Sequence, residues 1–261
     1  MEIPEGLRST PRVIYQNNPL KVVVLQVRFS PILLLAQPAG LAPLQEAIRS
    51  DYPQAAAPEQ QVSVSIAPNG TVSPMAQMGP WRFLSEDGNW TVSVAPDFVA
   101  LETKAYSRYE DFDTRARALF EVVPRVLQLR DRGRLGLRYV NEINYPEAAT
   151  LAQWDELLDP ELLGICGREL KERIVRTIQH IDVNIDDGIL TIRHGCDTSN
   201  EGASPYVIDL DAHDDESRPY TVDDIMRRAA GYREWIGGFF RKSLRPKLAE
   251  YLHPMEIEGE N

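Results

Sequence analysis

Residues 21–29 read KVVVLQVRF. Side chains alternate along an extended chain, so Val23, Leu25, Val27 and Phe29 fall on one side and Val22, Val24, Gln26 and Arg28 on the other. One apolar and one mixed face is the pattern of an antiparallel strand covered on a single side. Residues 133–143, GRLGLRYVNEI, repeat it. There Leu135, Leu137, Tyr139 and Ile143 share one face, with Asn141 as a buried amide that needs a partner. Arg134, Arg138 and Glu142 take the other.

Between these stretches the chain punctuates itself. A short helix is expected from about Ala42 to Arg49, then an Ala/Pro/Gln-rich loop from Pro53 to Pro58. VSVSI (62–66) reads as an alternating strand, and after a Gly/Pro-containing connection WRFLS (81–85), NWTVSV (89–94) and FVALETKAY (98–106) read as strands of a meander. Glu86-Asp87-Gly88-Asn89 and Pro96-Asp97 supply the turns. A helix follows over 109–128, with Ser107 and Glu110 in a capping-box pattern and Phe112, Ala116, Leu119, Phe120, Val123 and Leu127 as its apolar stripe. Pro124 is expected to kink or shorten its last turns. Beyond residue 143, Thr150 and Gln153 cap a short helix, and RTIQHIDVNI, ILTIRH and YVIDLDA are strands. Thr221 and Asp224 open a final long helix through Ile225, Ala229, Tyr232, Ile236, Phe240, Leu244 and Leu248, with bends expected at Gly237-Gly238 and Pro246.

Both halves therefore run strand, short helix, meander, long helix at an offset of about 100 residues, which is compatible with a tandem duplication or with two coincident meanders. The expected fold is α+β: an antiparallel sheet with both long helices on one face, as in saddle or helix-grip arrangements. Residues 1–130 and 131–261 form its two sheet-plus-helix halves within one compact unit.

The chain has 261 residues, 43% of them hydrophobic, and a formal net charge of -11. That charge argues against nucleic acid as a partner, because neutralising phosphates needs the opposite sign. Cys166 and Cys196 fit no metal or disulfide spacing and read as reduced thiols. The N-terminal MEIPEGLRSTPRVIY lacks the apolar core of a signal peptide, and Leu20 to Ala36 is interrupted by Lys21, Gln26 and Arg28, so no membrane segment is expected. The expected location is the cytoplasm.

Three blocks carry a family resemblance: NNPLKVVVLQVRFSP (17–31), WRFLSEDGNWTVSV (81–94) running on into DFVALETKAYSRYEDF (97–112), and RLGLRYVNEI (134–143). A final helix with FF (239–240), SL (243–244) and Leu248 completes the pattern. Together they resemble a sporadically distributed family of bacterial proteins, over nearly the whole length and least clearly over 150–205. The resemblance implies a bacterial cytoplasmic protein of accessory-gene character, and it implies no activity or cofactor.

Two constellations stand out. Asp209, Asp211 and His213 alternate on one strand face, where two carboxylates and an imidazole suit a divalent metal; the simpler reading is a strand end with acids facing water. Arg28, Glu102, Lys104, Arg138 and Glu142 lie on the polar strand faces as a cross-strand lattice, either pairing with one another or recognising a partner or an anionic ligand. Arg138 is expected on the face opposite the helices and, if the sheet is continuous, paired with Glu102. Cys166 beside Arg168 is a remote candidate nucleophile, and no nucleotide, hydrolase or zinc motif occurs. The expected function is a non-catalytic module that binds another protein, of the kind found in defence or toxin–antitoxin pairs. The alternative is a small-molecule binder or enzyme, divalent-metal dependent in one version, with a cavity between sheet and long helix.

Overall fold

The computed structural model describes residues 13–66, 72–167, 171–199 and 204–256, without the side chains of residues 60–77, 165, 167 and 256. Nine strands form its main sheet: β1 (Leu20–Arg28), β2 (Gln54–Ala56), β3 (Trp81–Leu84), β4 (Trp90–Ala95), β5 (Phe98–Thr103), β6 (Leu135–Ile143), β7 (Arg176–Ile185), β8 (Gly188–Asp197) and β9 (Tyr206–Asp214). Their order is β7-β8-β9-β6-β1-β5-β4-β3-β2, and every neighbouring pair is antiparallel. The two stretches with the one-sided apolar pattern lie side by side at the centre, with Val27 opposite Leu135, Leu25 opposite Leu137 and Val23 opposite Tyr139. Outward from that seam the order is β1-β5-β4-β3 on one side and β6-β9-β8-β7 on the other. The Ala/Pro/Gln-rich stretch expected as a loop contributes the three-residue edge strand β2. Strands Gln60–Ile66 and Val72–Met78 pair with each other outside the main sheet.

The helices are α1 (Pro38–Ile48), α2 (Tyr109–Leu127), α3 (Leu151–Trp154), α4 (Pro160–Leu163), α5 (Val222–Lys242) and α6 (Pro246–Leu252). Both long helices, α2 and α5, cover the face that carries Val23, Leu25, Leu101, Leu137 and Leu210, all fully buried. Phe112 of α2 stacks on Trp90 of β4, ring centres 5.9 Å apart. Tyr232 and Ile236 of α5 are buried on the same side, over the β6–β9 half. Each such side chain withdrawn from water contributes roughly 1.5–3 kcal/mol, which is what fixes the register of the strands beneath.

Several local expectations need correction. The α2 N-cap is Arg108, and Ser107 donates to Asp111 Oδ2 at 3.1 Å in place of a capping box with Glu110. α2 contains Pro124 and runs to Leu127, close to its expected span of 109–128. A proline cannot donate to the carbonyl four residues back, here that of Phe120, and the Tyr220 hydroxyl donates to that oxygen at 3.3 Å instead. The final helix is two helices: α5 passes through Gly237-Gly238 without interruption, and Pro246 starts α6 at its favoured first-turn position. At α3 the capping box of Thr150 with Gln153 is present.

Opposite ends of the chain also meet. Val13–Tyr15 pairs with Pro254–Glu256, and the Asn17 side-chain amide donates to the Tyr251 carbonyl at 2.6 Å. This short ribbon closes one end of the layer between sheet and helices.

Candidate functional site

The face of the sheet opposite the helices carries most of the expected site residues, and Arg28, Arg138 and Glu142 each have an oppositely charged partner. Arg138 does lie there, with 47% of its side chain exposed. Its partner is not Glu102, which sits two strands away with Val24 between them. Arg138 donates instead from Nε and Nη2 to Asp209 at 2.7 and 2.8 Å, and Arg193 adds a contact to the same carboxylate at 3.4 Å. Arg28 pairs with Asp97 at 3.0 Å and lies over the Phe98 ring. Glu142 faces Lys21 at 3.7 Å, and Lys104 lies exposed just past β5. The five residues are thus spread across the sheet and do not converge on a common point.

Asp211 accepts two hydrogen bonds from Arg134, at 2.9 and 3.1 Å. His213 Nδ1 lies 4.0 Å from Asp211 and its Nε2 lies 3.8 Å from Asp215. Guanidinium pairing therefore occupies the carboxylates read as metal ligands, and among the described residues no group of three His, Cys, Asp or Glu side chains is gathered to hold a metal ion. Cys166 is buried against Thr177, its sulfur 3.3 Å from the hydroxyl. Arg168 lies outside the described residues. Burial, then the neighbouring Cys166, pushes the Cys196 thiol up to about 11, a protonated and unreactive state at neutral pH.

The concave feature lies on the other side of the sheet. A cavity of about 520 Å³ opens between β6, the start of α2, the middle of α5 and the Val13–Tyr15 strand. Its floor is the aromatic pair Tyr139 and Tyr106, hydroxyls 3.0 Å apart, and Asn18 anchors Tyr106 through its carbonyl at 3.2 Å. Asn141 also lines it, and its amide donates to the Ile208 carbonyl at 3.2 Å, which leaves the side-chain oxygen directed elsewhere. Tyr15 packs edge-on against Phe240 at the far wall, 5.9 Å between ring centres.

Three arginines line this cavity: Arg108 at the α2 N-cap, and Arg233 and Arg241 two turns apart on α5. The Arg233 guanidinium lies over the Tyr109 ring at 4.2 Å. Neither Arg108 nor Arg233 has a carboxylate partner among the described residues, in contrast to Arg28, Arg134 and Arg138 of the open face. The Tyr109 hydroxyl is buried and has no hydrogen-bond partner there either. Burial raises the Tyr109 and Tyr139 phenols well above their ordinary value, and pushes Tyr15 up to about 12 against the pull of Arg241. All three stay protonated and uncharged at neutral pH. Glu110 and Glu234 line the rim as well, so the site holds both signs. The first turn of α2 adds the positive end of its dipole.

The sequence reading missed these residues because Tyr and Arg just off an apolar stripe look like an ordinary solvated helix flank. The available signal was Arg233, Gly237 and Arg241, spaced by four and adjoining Ile236 and Phe240, a second stripe in which a glycine leaves room beside cations. Among the described residues no helix is long and apolar enough to cross a membrane. No protein-family model matches this chain and no curated protein shows significant similarity to it, so the geometry alone carries the functional argument.

Proposed function

We propose that this protein binds a small organic anion with an apolar body, such as an aromatic carboxylate, in the cavity between β6 and α5. The observation that carries the reading is that Arg108 and Arg233, neither with a carboxylate partner among the described residues, line a tyrosine-walled space of about 520 Å³. That volume suits a metabolite-sized ligand, and a few convergent polar groups on an apolar wall are what orient one. A guanidinium without a carboxylate is free to make charge-assisted hydrogen bonds, and an organic acid offers the acceptors for them. Binding of this kind involves no catalytic step.

The alternative of a protein partner at the open sheet face draws less support. Arg28, Arg134, Arg138 and Arg193 already have aspartates, so a partner's carboxylate would have to displace one of these.

Titration calorimetry with a panel of aromatic carboxylates, each beside its uncharged amide, tests the proposal. Binding of at least one acid at micromolar to low-millimolar Kd is expected, with its amide much weaker. Arg233→Ala should weaken the acid by about 10- to 100-fold, the worth of a charge-assisted hydrogen bond. A panel that shows no binding, or a Kd untouched by Arg233→Ala, would sink it.

A further inference from the structure

The two edges of the sheet are unequal. At one end β2 is three residues long, follows Pro53 and precedes Pro58, so little backbone is left open for pairing. At the other, β7 runs ten residues in unbroken register with β8 from Arg176 to Ile185. It contains no proline, lysine or bulge, the devices by which edge strands ordinarily resist pairing. Val175 just before it is 60% exposed, Ile178 80%, Ile181 45% and Val183 37%, half of the large apolar side chains exposed among the described residues.

The hydrogen-bonding direction of this edge is fixed. Thr198 donates to the Val175 carbonyl at 2.7 Å, which turns the backbone groups of Val175 toward β8. By strict alternation in an antiparallel ladder, the N–H and C=O groups of Arg176, Ile178, His180, Asp182 and Asn184 point away from the sheet. Among the described residues nothing pairs with them.

We propose that β7 is a homodimer interface, in which two copies join edge to edge as antiparallel strands about a two-fold axis through Ile181. This register preserves the face of every side chain. On the open face it sets His180 opposite the second copy's Asp182 and Ile178 opposite its Asn184, each twice by symmetry. Arg176, which also holds Asp197 of its own chain at 2.7 Å, comes level with the second copy's Asp186 in the turn beyond the strand. On the helix side Ile181 meets its own copy, Val183 meets Gln179, and Ile185 meets Thr177. No like charges face each other in this register, and opposite-charge and apolar cross-strand pairs are the ones that stabilise a ladder. An isologous interface requires this self-complementarity. A second copy therefore satisfies the edge from this strand's own sequence, and the two sheets become one.

The test is the mass of the full-length protein in solution, by light scattering and sedimentation from about 1 to 100 µM. A mass twice the 29.5 kDa of the chain is expected. Ile181→Lys sets two cations on the axis and should give a monomer with an unchanged circular dichroism spectrum. If that variant misfolds, Ile181→Cys reads the register without disturbing packing. A non-hydrogen-bonded antiparallel pair brings Cα atoms to about 4.5 Å, within disulfide range, so mild oxidation should yield a covalent dimer, and Gln179→Cys should not. A wild-type monomer throughout this range overturns the proposal. So does a dimer that survives Ile181→Lys, or one that fails to cross-link through Ile181→Cys.

Discussion

Arg138 holds Asp209 diagonally, by two hydrogen bonds of 2.7 and 2.8 Å, although the residue directly opposite it on β9 is Asp211. The offset has a cause. Arg134, one residue before β6, already binds Asp211 with both oxygens, so Arg138 reaches two residues along to the next carboxylate on the same face. Arg138 is half exposed, and Asp209 keeps Arg193 at 3.4 Å if Arg138 is lost. Arg138→Ala should therefore remain folded and lose about 1 kcal/mol in urea unfolding, the range of solvent-screened pairs. Loss of cooperative unfolding would place this arginine in the structural core.

Arg132, six residues earlier, is the opposite case. Its side chain is fully buried, bound to Asp214 at 2.9 and 3.2 Å and to Asp224 at 3.3 Å. Tyr232 donates to the same Asp214 at 3.0 Å, and Arg228 bridges Asp224 and Asp187. This network ties the first turns of α5 to the end of β9. Arg132→Ala leaves the buried Asp214 with Arg228 at 3.5 Å and the Tyr232 hydroxyl, and should cost about 3 kcal/mol, several times the effect of Arg138→Ala. Equal losses in the two variants, measured by denaturant unfolding, would refute the assignment of one pair to the core and the other to the surface.

The central strands were legible from sequence because a period of two with one apolar face is what a strand covered on a single side produces, and a helix of the same length does not. KVVVLQVRF and GRLGLRYVNEI are adjacent in the sheet, and the faces of Arg138 and Leu137 follow from alternation. Partner choice was not legible. Whether Arg138 meets Glu102 or Asp209 depends on strand order, which alternation does not encode. The span of α2 past Pro124 was legible in its apolar stripe, but the donor that replaces the missing amide was not, since it is Tyr220, 100 residues away at 3.3 Å. The cavity was the least visible feature of all. It assembles Tyr15, Tyr109, Tyr139 and Arg233 from four separate elements, none carrying a local motif.

Acid stability should report on His194. It is 2% exposed, and burial lowers its imidazole from 6.5 to about 4; its Nδ1 lies 2.8 Å from the Tyr206 hydroxyl. The unfolded chain takes up this proton below about pH 6.5, and the native chain does so only near pH 4. Stability consequently rises with pH across that window and falls on acidification, by up to about 3 kcal/mol from this group. His194→Phe should flatten the slope of unfolding free energy between pH 6.5 and 4, whatever it does to stability at pH 7.5. An unchanged slope in the variant would show that the native imidazole already carries its proton in this range.

Gly237 separates the stability of α5 from the use of the cavity. It sits inside the helix, where alanine is favoured over glycine by about 1 kcal/mol. It also lines the cavity, and a Cβ built there would come 3.0 Å from Arg241 Nη1. That contact is with the end of a flexible side chain, so the guanidinium moves aside by a few tenths of an ångström and the backbone need not. Gly237→Ala should accordingly raise the thermal midpoint, and at the same time weaken an anionic ligand several-fold, because the displaced guanidinium and the added methyl both take space from it. The opposite signs are the informative part. A variant that is more stable and binds the acid unchanged would mean that the ligand does not reach Arg241, and that Arg108 and Arg233 alone set its position. A variant that is less stable would mean that α5 is packed too tightly at this point to leave the opening that the proposed ligand needs.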